Sequence, residues 1–400
     1  MTTAAALNSV LTAEIPQTIS RRHTIHANPE LMFEEAETSK LVQQELSEAG
    51  IAFVAGLARG NGVLAYLPAT TDESRAKTIG LRADMDALPI LEATGKEYAS
   101  RNEGVMHACG HDAHTANLVG VAKVLKQTEH RPNNVMFIFQ PAEEGGAGGD
   151  LMVKDGALDG SRIGKPVDML FGLHGWPGIK LNQLSSKPGP LLAATDEFSV
   201  TLLGHGGHAA MPHVLSDPVV AAAQVVTALQ SIVSRNNDPV DGMVISVTDI
   251  STPNDANNII PHSSTIKGTI RTLSDNGREV AVKRFHEVVQ GVAGAMGCIA
   301  EFDFEPGYPV TENDADAYNH WREVMSGTFA AGTIEETPAP FMGGEDFSFY
   351  CKEVPSCFFL VGLQPDGDPP YPGLHTPEFD FNDDAMSVAM LSFCALALAE

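Results

Sequence analysis

The sequence predicts an α/β fold: a mainly parallel central sheet with helices on both faces, and a smaller α+β domain inserted into it. Two observations support this prediction. In the first part of the chain, short apolar segments of strand length alternate with helical segments, as in parallel sheets covered by helices. In the middle of the chain the strand-like and helix-like segments follow another order, which indicates a separate domain.

The composition is that of a globular protein and excludes two classes of partner. The 400 residues are 43% hydrophobic, which is enough to form a core. Acidic residues outnumber basic ones by 51 to 25, which gives a formal net charge of −26. Nucleic acids and anionic membranes are recognised by clustered Lys and Arg, so neither is expected as a partner.

The chain shows no pattern typical of export or membrane insertion. No apolar run approaches the roughly 20 residues that a membrane span needs. The N-terminus lacks a basic leader followed by an apolar core, so no secretory signal is expected. Five cysteines are too sparse for a disulfide framework. We therefore expect a protein of the reducing cytoplasm.

Three predicted strands in the first part of the chain run into polar residues. Residues 78–84 and 134–140 have the character of short buried strands, and 114–127 between them has apolar residues at helical spacing. A third strand is predicted at 168–174. In such sheets functional groups gather at the carboxyl ends of the strands. The candidates there are Asp84 and Asp86, Glu143 and Glu144, and His174.

The middle of the chain has the β-α-β-β-α-β order of a ferredoxin-like domain. Its predicted strands are 196–203, 242–250, 263–273 and 298–304, and its predicted helices are 217–235 and about 275–296. Linkers containing Pro and Gly border this stretch. We therefore place the inserted domain at 187–305 and the main domain at 1–186 and 306–400. A buried strand at 357–363 and a closing helix from 383 complete the main domain.

The densest group of candidate ligands is HACGHDAH, at 107–114, just before a predicted helix. Cys109 and His111 are two residues apart, so their side chains would point the same way in an extended segment. A thiolate beside an imidazole suits zinc or another transition metal. The alternative for an isolated pair is a buried cysteine and a histidine that caps the helix.

Two adjacent glutamates in QPAEEGG can have different functions. Side chains of neighbouring residues diverge in an extended segment, so one of Glu143 and Glu144 can bind metal while the other takes a proton from metal-bound water. The alternative is a pair of solvated surface glutamates. The following GGAGG matches neither a dinucleotide fingerprint nor a Walker loop, so we do not expect a nucleotide site.

Histidines from two further motifs complete the set of donors. GLHGW contributes His174, and YPGLHTPEF contributes His375. Each alone is more typical of a structural histidine than of a ligand. The full set is large enough for two metal ions with shared ligands, which is hydrolytic chemistry. Its five members are Cys109, His111, Glu144, His174 and His375.

Several motifs, taken together and in order, resemble one known family. They are RRHTIHANPELMFEE, GLRADMDALPI, MHACGHDAHTANLVG, FQPAEEGGAGG, GLHGWPG, GHGGHAAMPH, NNIIP with GTIRT, and MGGEDFSFY. They resemble the co-catalytic metallopeptidase family of aminoacylases and glutamate carboxypeptidase. The greatest similarity is to the amidohydrolase branch with hippurate hydrolase and the plant auxin-amino-acid conjugate hydrolases. The resemblance covers nearly the whole chain.

The resemblance implies roles for the main-domain residues. Cys109, His111, Glu144, His174 and His375 would hold two divalent metal ions per subunit, zinc or manganese, with cobalt or nickel also open. Glu143 would be the general base, and Asp86 would orient a ligand. Most members have His-x-Asp where this chain has Asp84-Met85-Asp86, so the role of Asp84 stays open.

The resemblance also implies that the inserted domain is a lid and dimerisation domain. His208 would stabilise the oxyanion of the tetrahedral intermediate, commonly in the active site of the partner subunit. Asn258 and Arg271 would bind the substrate carboxylate, for which the planar fork of Arg is suited. On spacing alone, Arg271 would be a surface residue of a strand. Glu345 and Asp346 have no role that the sequence predicts.

The predicted function is dinuclear, metal-dependent hydrolysis of the amide bond of N-acyl-L-amino acids, which releases a carboxylic acid and a free amino acid. Glu143 would assist the attack of metal-bound water, and the enzyme would be a homodimer that acts on a small molecule. One alternative is a dipeptidase or carboxypeptidase on the same scaffold. Another is a non-catalytic protein that binds metal or conjugates, although binding alone would not require Glu143.

Overall fold

The computed structural model describes residues 3–72, 76–254, 256–367 and 369–400. The chain divides into two compact units. The first comprises Met1–Leu191, Glu312–Ala339 and Asp346–Glu400. The second comprises Leu192–Thr311 and Pro340–Glu345. The chain therefore enters the second unit twice, and the sequence prediction of a single insertion at 187–305 did not include the second, short passage.

The described residues contain nine α-helices and sixteen strands. The helices are α1 (Thr3–His26), α2 (Ala36–Glu48), α3 (His111–Gln127), α4 (Gly148–Lys154), α5 (Pro218–Ser231), α6 (Asp275–Ala295), α7 (Ala315–Thr328), α8 (Ser348–Cys351) and α9 (Met386–Leu398). The strands are β1 (Ala52–Leu57), β2 (Gly62–Leu67), β3 (Thr78–Asp84), β4 (Asn134–Gln140), β5 (Met169–Lys180), β6 (Leu184–Ser186), β7 (Gly189–Leu192), β8 (Ala194–Leu203), β9 (Gly207–His208), β10 (Met243–Ser251), β11 (Ile259–Ile260), β12 (Ser263–Thr272), β13 (Ile299–Pro306), β14 (Thr311–Asn313), β15 (Ile334–Glu336) and β16 (Ser356–Gln364).

The first unit is organised around an eight-stranded sheet with the order β1-β2-β4-β3-β5-β16-β6-β15. The four central strands β4, β3, β5 and β16 are parallel. Every residue of β3 and β4 is buried, so both faces of the sheet are covered there. This burial explains why both strands are continuous apolar runs in the sequence. The predicted α/β class with a mainly parallel central sheet is confirmed.

The second unit has a four-stranded antiparallel sheet with the order β10-β12-β8-β13. Phe198, Val200 and Leu202 alternate along β8 and are buried in a core that includes residues of α5 and α6. The residues between them belong to the opposite, more polar face. The chain order β8-α5-β10-β12-α6-β13 is the β-α-β-β-α-β order that the sequence predicts.

Helix starts in the second unit follow from local sequence. Asp217 precedes α5 and accepts hydrogen bonds from the backbone N–H groups of Val219 and Val220, with Pro218 as the first helical residue. Ser274 caps α6 in the same way through the N–H of Gly277. None of the helices in the described ranges is long and apolar enough to cross a membrane.

Candidate metal centre

In the sheet of the first unit, the candidate ligands lie near the carboxyl ends of neighbouring parallel strands. Asp84, the last residue of β3, pairs with Gln140, the last residue of β4, so both chains leave the sheet at the same edge. On the other side of β3, Arg82 pairs with Gly172 of β5. His174 is therefore level with the end of β3. Strand β5 continues to Lys180, so the prediction that His174 ends its strand is wrong.

Cys109 and His111 lie on a turn, and the prediction of an extended segment there is wrong. Gly110 between them has a φ of +87°, and His111 is the first residue of α3. A Cβ atom at Gly110 would lie 3.1 Å from Phe381 and would have an unfavourable backbone conformation. Glycine therefore allows the chain to turn sharply enough to present the cysteine and the histidine together.

Cys109 belongs to two groups of candidate ligands. One group contains Cys109, His111 and His174, the other contains Cys109, Glu144 and His375, and the ligand atoms within each group lie within 4.8 Å of one another. The Cys109 Sγ atom is 3.3 Å from the Nε2 atoms of both His174 and His375. The structure thus brings together all five residues that the resemblance implies as metal ligands.

The histidine rings have the orientation that a metal site requires. His111 Nδ1 is 3.0 Å from the backbone oxygen of Asp86, and His174 Nδ1 is 2.8 Å from that of Gly175. In its neutral form each ring would donate Nδ1–H to this carbonyl and present the lone pair of Nε2 to a metal ion. The buried Nε2 atom of His111 has no hydrogen-bond partner among the described residues. The donor set fits transition-metal ions.

The charges in the cluster also favour a bound cation. Burial, together with the carboxylates of Glu144, Glu143 and Asp84, holds the pKa of the Cys109 thiol well above its usual range. Burial opposes ionisation of Glu144, but the hydrogen bond from His375 and the charge of His111 lower the pKa of Glu144. A divalent ion would favour the thiolate and offset the excess of carboxylates.

Asp86 holds the segment that carries the two glutamates. Its Oδ1 and Oδ2 atoms accept hydrogen bonds from the backbone N–H groups of Glu143 and Glu144, each at 2.9 Å. Its backbone carbonyl accepts the hydrogen bond from His111. The ligand atoms of His111, Glu143 and Glu144 form a further group within 4.8 Å. The two glutamates therefore both approach the cluster, unlike the divergent pair that the sequence interpretation assumed.

Asp84, whose role the sequence left open, links three parts of the centre. It is completely buried, with Oδ1 2.7 Å from His114 Nδ1 and Oδ2 2.5 Å from Arg82 Nη1. The Nε2 atom of His114 accepts the backbone N–H of Gly175, the residue after His174. Asp84 thus fixes His114, and His114 fixes the backbone beside a candidate ligand.

Sequence reasoning missed a buried network behind Glu143. The carboxylate of Asp346 accepts hydrogen bonds from Arg82 Nη2 at 2.7 Å, from Gln140 Nε2 at 2.8 Å and from the backbone N–H of Gly149 at 2.8 Å. The backbone N–H of Asp346 donates to Glu143 Oε1 at 3.4 Å. The signal in the sequence is Arg82, a charged residue in the middle of a buried strand.

A second buried network joins α1 to the start of α3. Arg22 is completely buried and forms ion pairs with Asp112, Asp380 and Asp383. His26 Nδ1 is 2.9 Å from Asp112 Oδ2, and His26 Nε2 is 3.3 Å from Glu92. Burial disfavours the charged imidazolium, but the Asp112 carboxylate and the hydrogen bond with Glu92 together outweigh burial and raise the pKa of His26 to about 9.

This raised pKa predicts a loss of stability at alkaline pH. Because the pKa of histidine is about 6.5 in the unfolded chain, the stabilisation is complete below pH 6.5 and is lost as the pH rises through 9. We expect a loss on the order of 3 kcal/mol across this window. Denaturant unfolding at several pH values should show a flatter profile for His26→Gln. The exposed His130→Gln serves as a control and should keep the wild-type profile.

In the second unit, the structure brings His208 and Asn258 together. His208 pairs with Ile259 across β9 and β11, and the backbone N–H of Ala209 donates to the carbonyl of Asn258 at 3.0 Å. The His208 side chain is exposed. These two residues lie beyond the end of β8, where Leu203 pairs with Ser263 of β12.

Arg271 lies at the opposite end of the same sheet. It pairs with Thr195 of β8, which precedes Leu203 by eight residues. It lines a pocket of about 490 Å³ on the polar face, whose other lining residues include Glu197, Lys267 and Glu305. Burial lowers the pKa of Arg271, although the carboxylate of Glu197 opposes this shift. The half-buried guanidinium is therefore available to an anionic group that enters the pocket.

Comparisons with a family model and with individual proteins point to the same family. Residues 80–399 match the model of peptidase family M20/M25/M40. An IAA-amino acid hydrolase (ILR1-like 5) of Arabidopsis thaliana is 40% identical over 94% of this chain and 85% of its own length. Hippurate hydrolase of Campylobacter jejuni is 37% identical over 94% of both chains.

A solved structure agrees with these matches. The YxeP protein of Bacillus subtilis, described as a dinuclear metal binding peptidase of the M20 family, is 32% identical to this chain. The TM-score is 0.79, and the match covers 97% of this chain and 98% of that one. The chain therefore belongs to peptidase family M20/M25/M40, and it is a hydrolase of amide bonds.

Proposed function

We propose that the protein hydrolyses the amide bond of N-acyl-L-amino acids, with two divalent metal ions held by Cys109, His111, Glu144, His174 and His375. The observation that carries this proposal is the position of Glu143 beside a cluster in which two ligand groups share Cys109. Two ions bound by this set would supply Lewis acidity to the acyl carbonyl and to the attacking water. A protein that only binds metal or a conjugate would not need the Glu143 carboxylate beside these ligands.

Glu143 acts as the general base in this proposal. Its carboxylate takes a proton from the attacking water and then delivers it to the nitrogen of the leaving amino acid. The backbone N–H of Asp346, which donates to Glu143 Oε1, and the hydrogen bond from the Glu143 N–H to Asp86 keep this carboxylate in one place. His208 donates a hydrogen bond to the oxyanion that forms on the acyl carbon.

Asn258 and Arg271 bind the carboxylate of the substrate in this proposal. The fork of Arg271 is suited to a bidentate pair with a carboxylate, and its half-burial strengthens such a pair. We therefore expect Arg271→Ala to raise KM for N-acyl amino acids by roughly 10- to 100-fold, the usual worth of a charged hydrogen bond. Steady-state kinetics measures this change.

Two controls make the Arg271 prediction specific. Amidated analogues lack the carboxylate, so their turnover should change little in Arg271→Ala. Lys283→Ala removes an exposed charge from α6 of the same unit, outside this pocket, and should leave KM unchanged. An equal loss for free and amidated substrates would contradict the assigned role.

We further propose a homodimer in which His208 and the adjacent Asn258 serve the active centre of the partner subunit, so that Asn258 of one subunit and Arg271 of the other bind the same substrate carboxylate. Thr195 and Leu203 are eight residues apart along β8, which separates Arg271 from the His208 end of the sheet by about 26 Å. One small substrate cannot contact both side chains at that separation. The edge strand β10 exposes Val244 and Ile250, which is consistent with a covered edge in an assembly.

Complementation between two inactive variants tests this arrangement. Glu143→Gln and His208→Ala should each be inactive alone, but their heterodimer combines an intact base in one subunit with an intact His208 in the other. Mixed subunits should therefore recover about a quarter of wild-type activity, since half of the dimers are mixed and each has one complete centre. Absence of recovery, with heterodimers verified by differential tags, would contradict the proposal.

The chemistry of the donors supports zinc as the metal. Thiolate and imidazole ligands suit zinc, while manganese, cobalt and nickel accept the same carboxylate and imidazole donors. Cys109, Cys298, Cys357 and Cys394 form no disulfide, which supports a reducing compartment such as the cytoplasm.

A further inference from the structure

The turn that carries Glu143 and Glu144 is held by carboxylates from distant parts of the chain. The backbone N–H of Ala142 donates to Glu35 Oε1 at 2.8 Å. The next two N–H groups, of Glu143 and Glu144, donate to the carboxylate of Asp86. Three consecutive N–H groups are thus fixed by two buried side chains.

This turn has a conformation that needs external support. Ala142 is buried and has a φ of +57°, which is unfavourable for a residue with a side chain. The following chain curls back closely, since a Cβ atom at Gly148 would lie 1.7 Å from the carbonyl oxygen of Pro141. The hydrogen bond that Glu35 accepts comes from Ala142, the residue with the unfavourable backbone conformation.

Glu35 is itself rigidly placed. It is completely buried, and its Oε2 atom accepts a hydrogen bond from Asn61 Nδ2 at 3.0 Å. The same amide group donates to the carbonyl of Phe33 at 2.9 Å. A backbone bridge between Leu31 and Ala87 ties this segment to the residue after Asp86. The segments that carry Glu35 and Asp86 are therefore joined to each other, and both residues hold the turn.

We propose that Glu35 is a positioning residue for the metal centre, which sets the direction of Glu143 and Glu144 by holding the N–H of Ala142. This inference rests on the proposed function, which gives Glu143 the role of base and Glu144 that of ligand. It assigns a role to the PELMFEE segment, for which the sequence predicts none.

Three substitutions of Glu35 distinguish the effect of the position of its acceptor oxygen from the effect of its negative charge. Glu35→Ala removes the acceptor, and Glu35→Asp keeps a carboxylate but withdraws it from Ala142. Glu35→Gln keeps an oxygen that can accept the same N–H, although its amide nitrogen cannot accept the hydrogen bond from Asn61. Burial, with the Asp86 carboxylate adding to it, raises the pKa of Glu35 to about 7, so the site accommodates an uncharged group. The exposed neighbour provides the control Glu34→Ala.

We expect Glu35→Ala and Glu35→Asp to lower kcat by roughly 10- to 100-fold, with a similar loss of zinc affinity in competition with a chelator. KM should change by less than about threefold, because the substrate-binding groups are untouched. Glu35→Gln should recover most of both losses, and Glu34→Ala should match the wild type.

The outcomes distinguish positioning from a purely structural role. If Glu35→Ala lowers only Tm, while kcat and zinc affinity of the folded protein are unchanged, the proposal is overturned. If Glu35→Ala does not fold, Glu35→Asp and Glu35→Gln give the same comparison. If the wild type hydrolyses no N-acyl amino acid but Glu35→Asp still weakens zinc binding, the proposed function fails and the role of Glu35 in placing Glu144 stands.

Discussion

Replacement of Glu143 by Gln is expected to remove nearly all turnover while the protein keeps its fold and its metal ions. The amide has nearly the shape of the carboxylate and can still accept the N–H of Asp346. It cannot take a proton from the attacking water. General base catalysis typically contributes a factor of 10² to 10⁴, so kcat should fall by about that factor.

The adjacent glutamate is the matched control for this prediction. Glu144 lies within the group that contains Cys109 and His375, so Glu144→Gln should lower metal affinity as well as activity. Zinc content, circular dichroism and kcat should be measured for both variants. Normal turnover by Glu143→Gln, or loss of its zinc, would contradict the role of Glu143 as a base.

Substitution of Cys109 by Ser is expected to weaken both metal positions at once. The Sγ atom lies 3.3 Å from both His174 and His375, so one thiolate serves two groups of ligands. A serine hydroxyl is a far weaker ligand because it does not ionise at neutral pH. The loss of zinc affinity should exceed the roughly 10- to 100-fold that substitutions of outer partners cause.

Zinc stoichiometry and chelator competition measure this effect. Cys298→Ser alters another buried cysteine, in the second unit, and should leave the zinc content unchanged. Retention of one ion at wild-type affinity by Cys109→Ser would show that the thiolate serves a single position. That result would contradict the shared arrangement.

Much of the fold could be predicted because strands that are buried on both faces of the sheet consist of mainly apolar residues. Strands β3 and β4 have the bounds that their apolar runs predict, since every residue in them is buried. The two long helices of the second unit start within one residue of the predicted positions, where the structure shows Asp217 and Ser274 as N-caps. Local signals of this kind need no knowledge of the rest of the chain.

The parts that could not be predicted depend on contacts between distant segments. The sharp turn at Gly110 could not be predicted, because it depends on the close approach of Phe381, which is distant in the sequence. The ion pair of Arg82 with Asp346 joins residues 264 positions apart, and that of Arg22 with Asp380 joins residues 358 apart. Such pairs leave no periodicity, so the sequence indicates the candidate ligands of the centre but not the residues that hold them.

Release of free amino acid from a panel of N-acyl amino acids by the metal-loaded protein tests the central claim most directly. The panel should contain N-acyl amino acids, their amidated forms and dipeptides, and metal content should be measured on the same sample. We expect two divalent ions per chain, hydrolysis of N-acyl amino acids with a free carboxylate, and loss of activity on chelation. A protein that binds two ions and releases no amino acid from any N-acyl substrate, or that cleaves only dipeptides, would contradict this account.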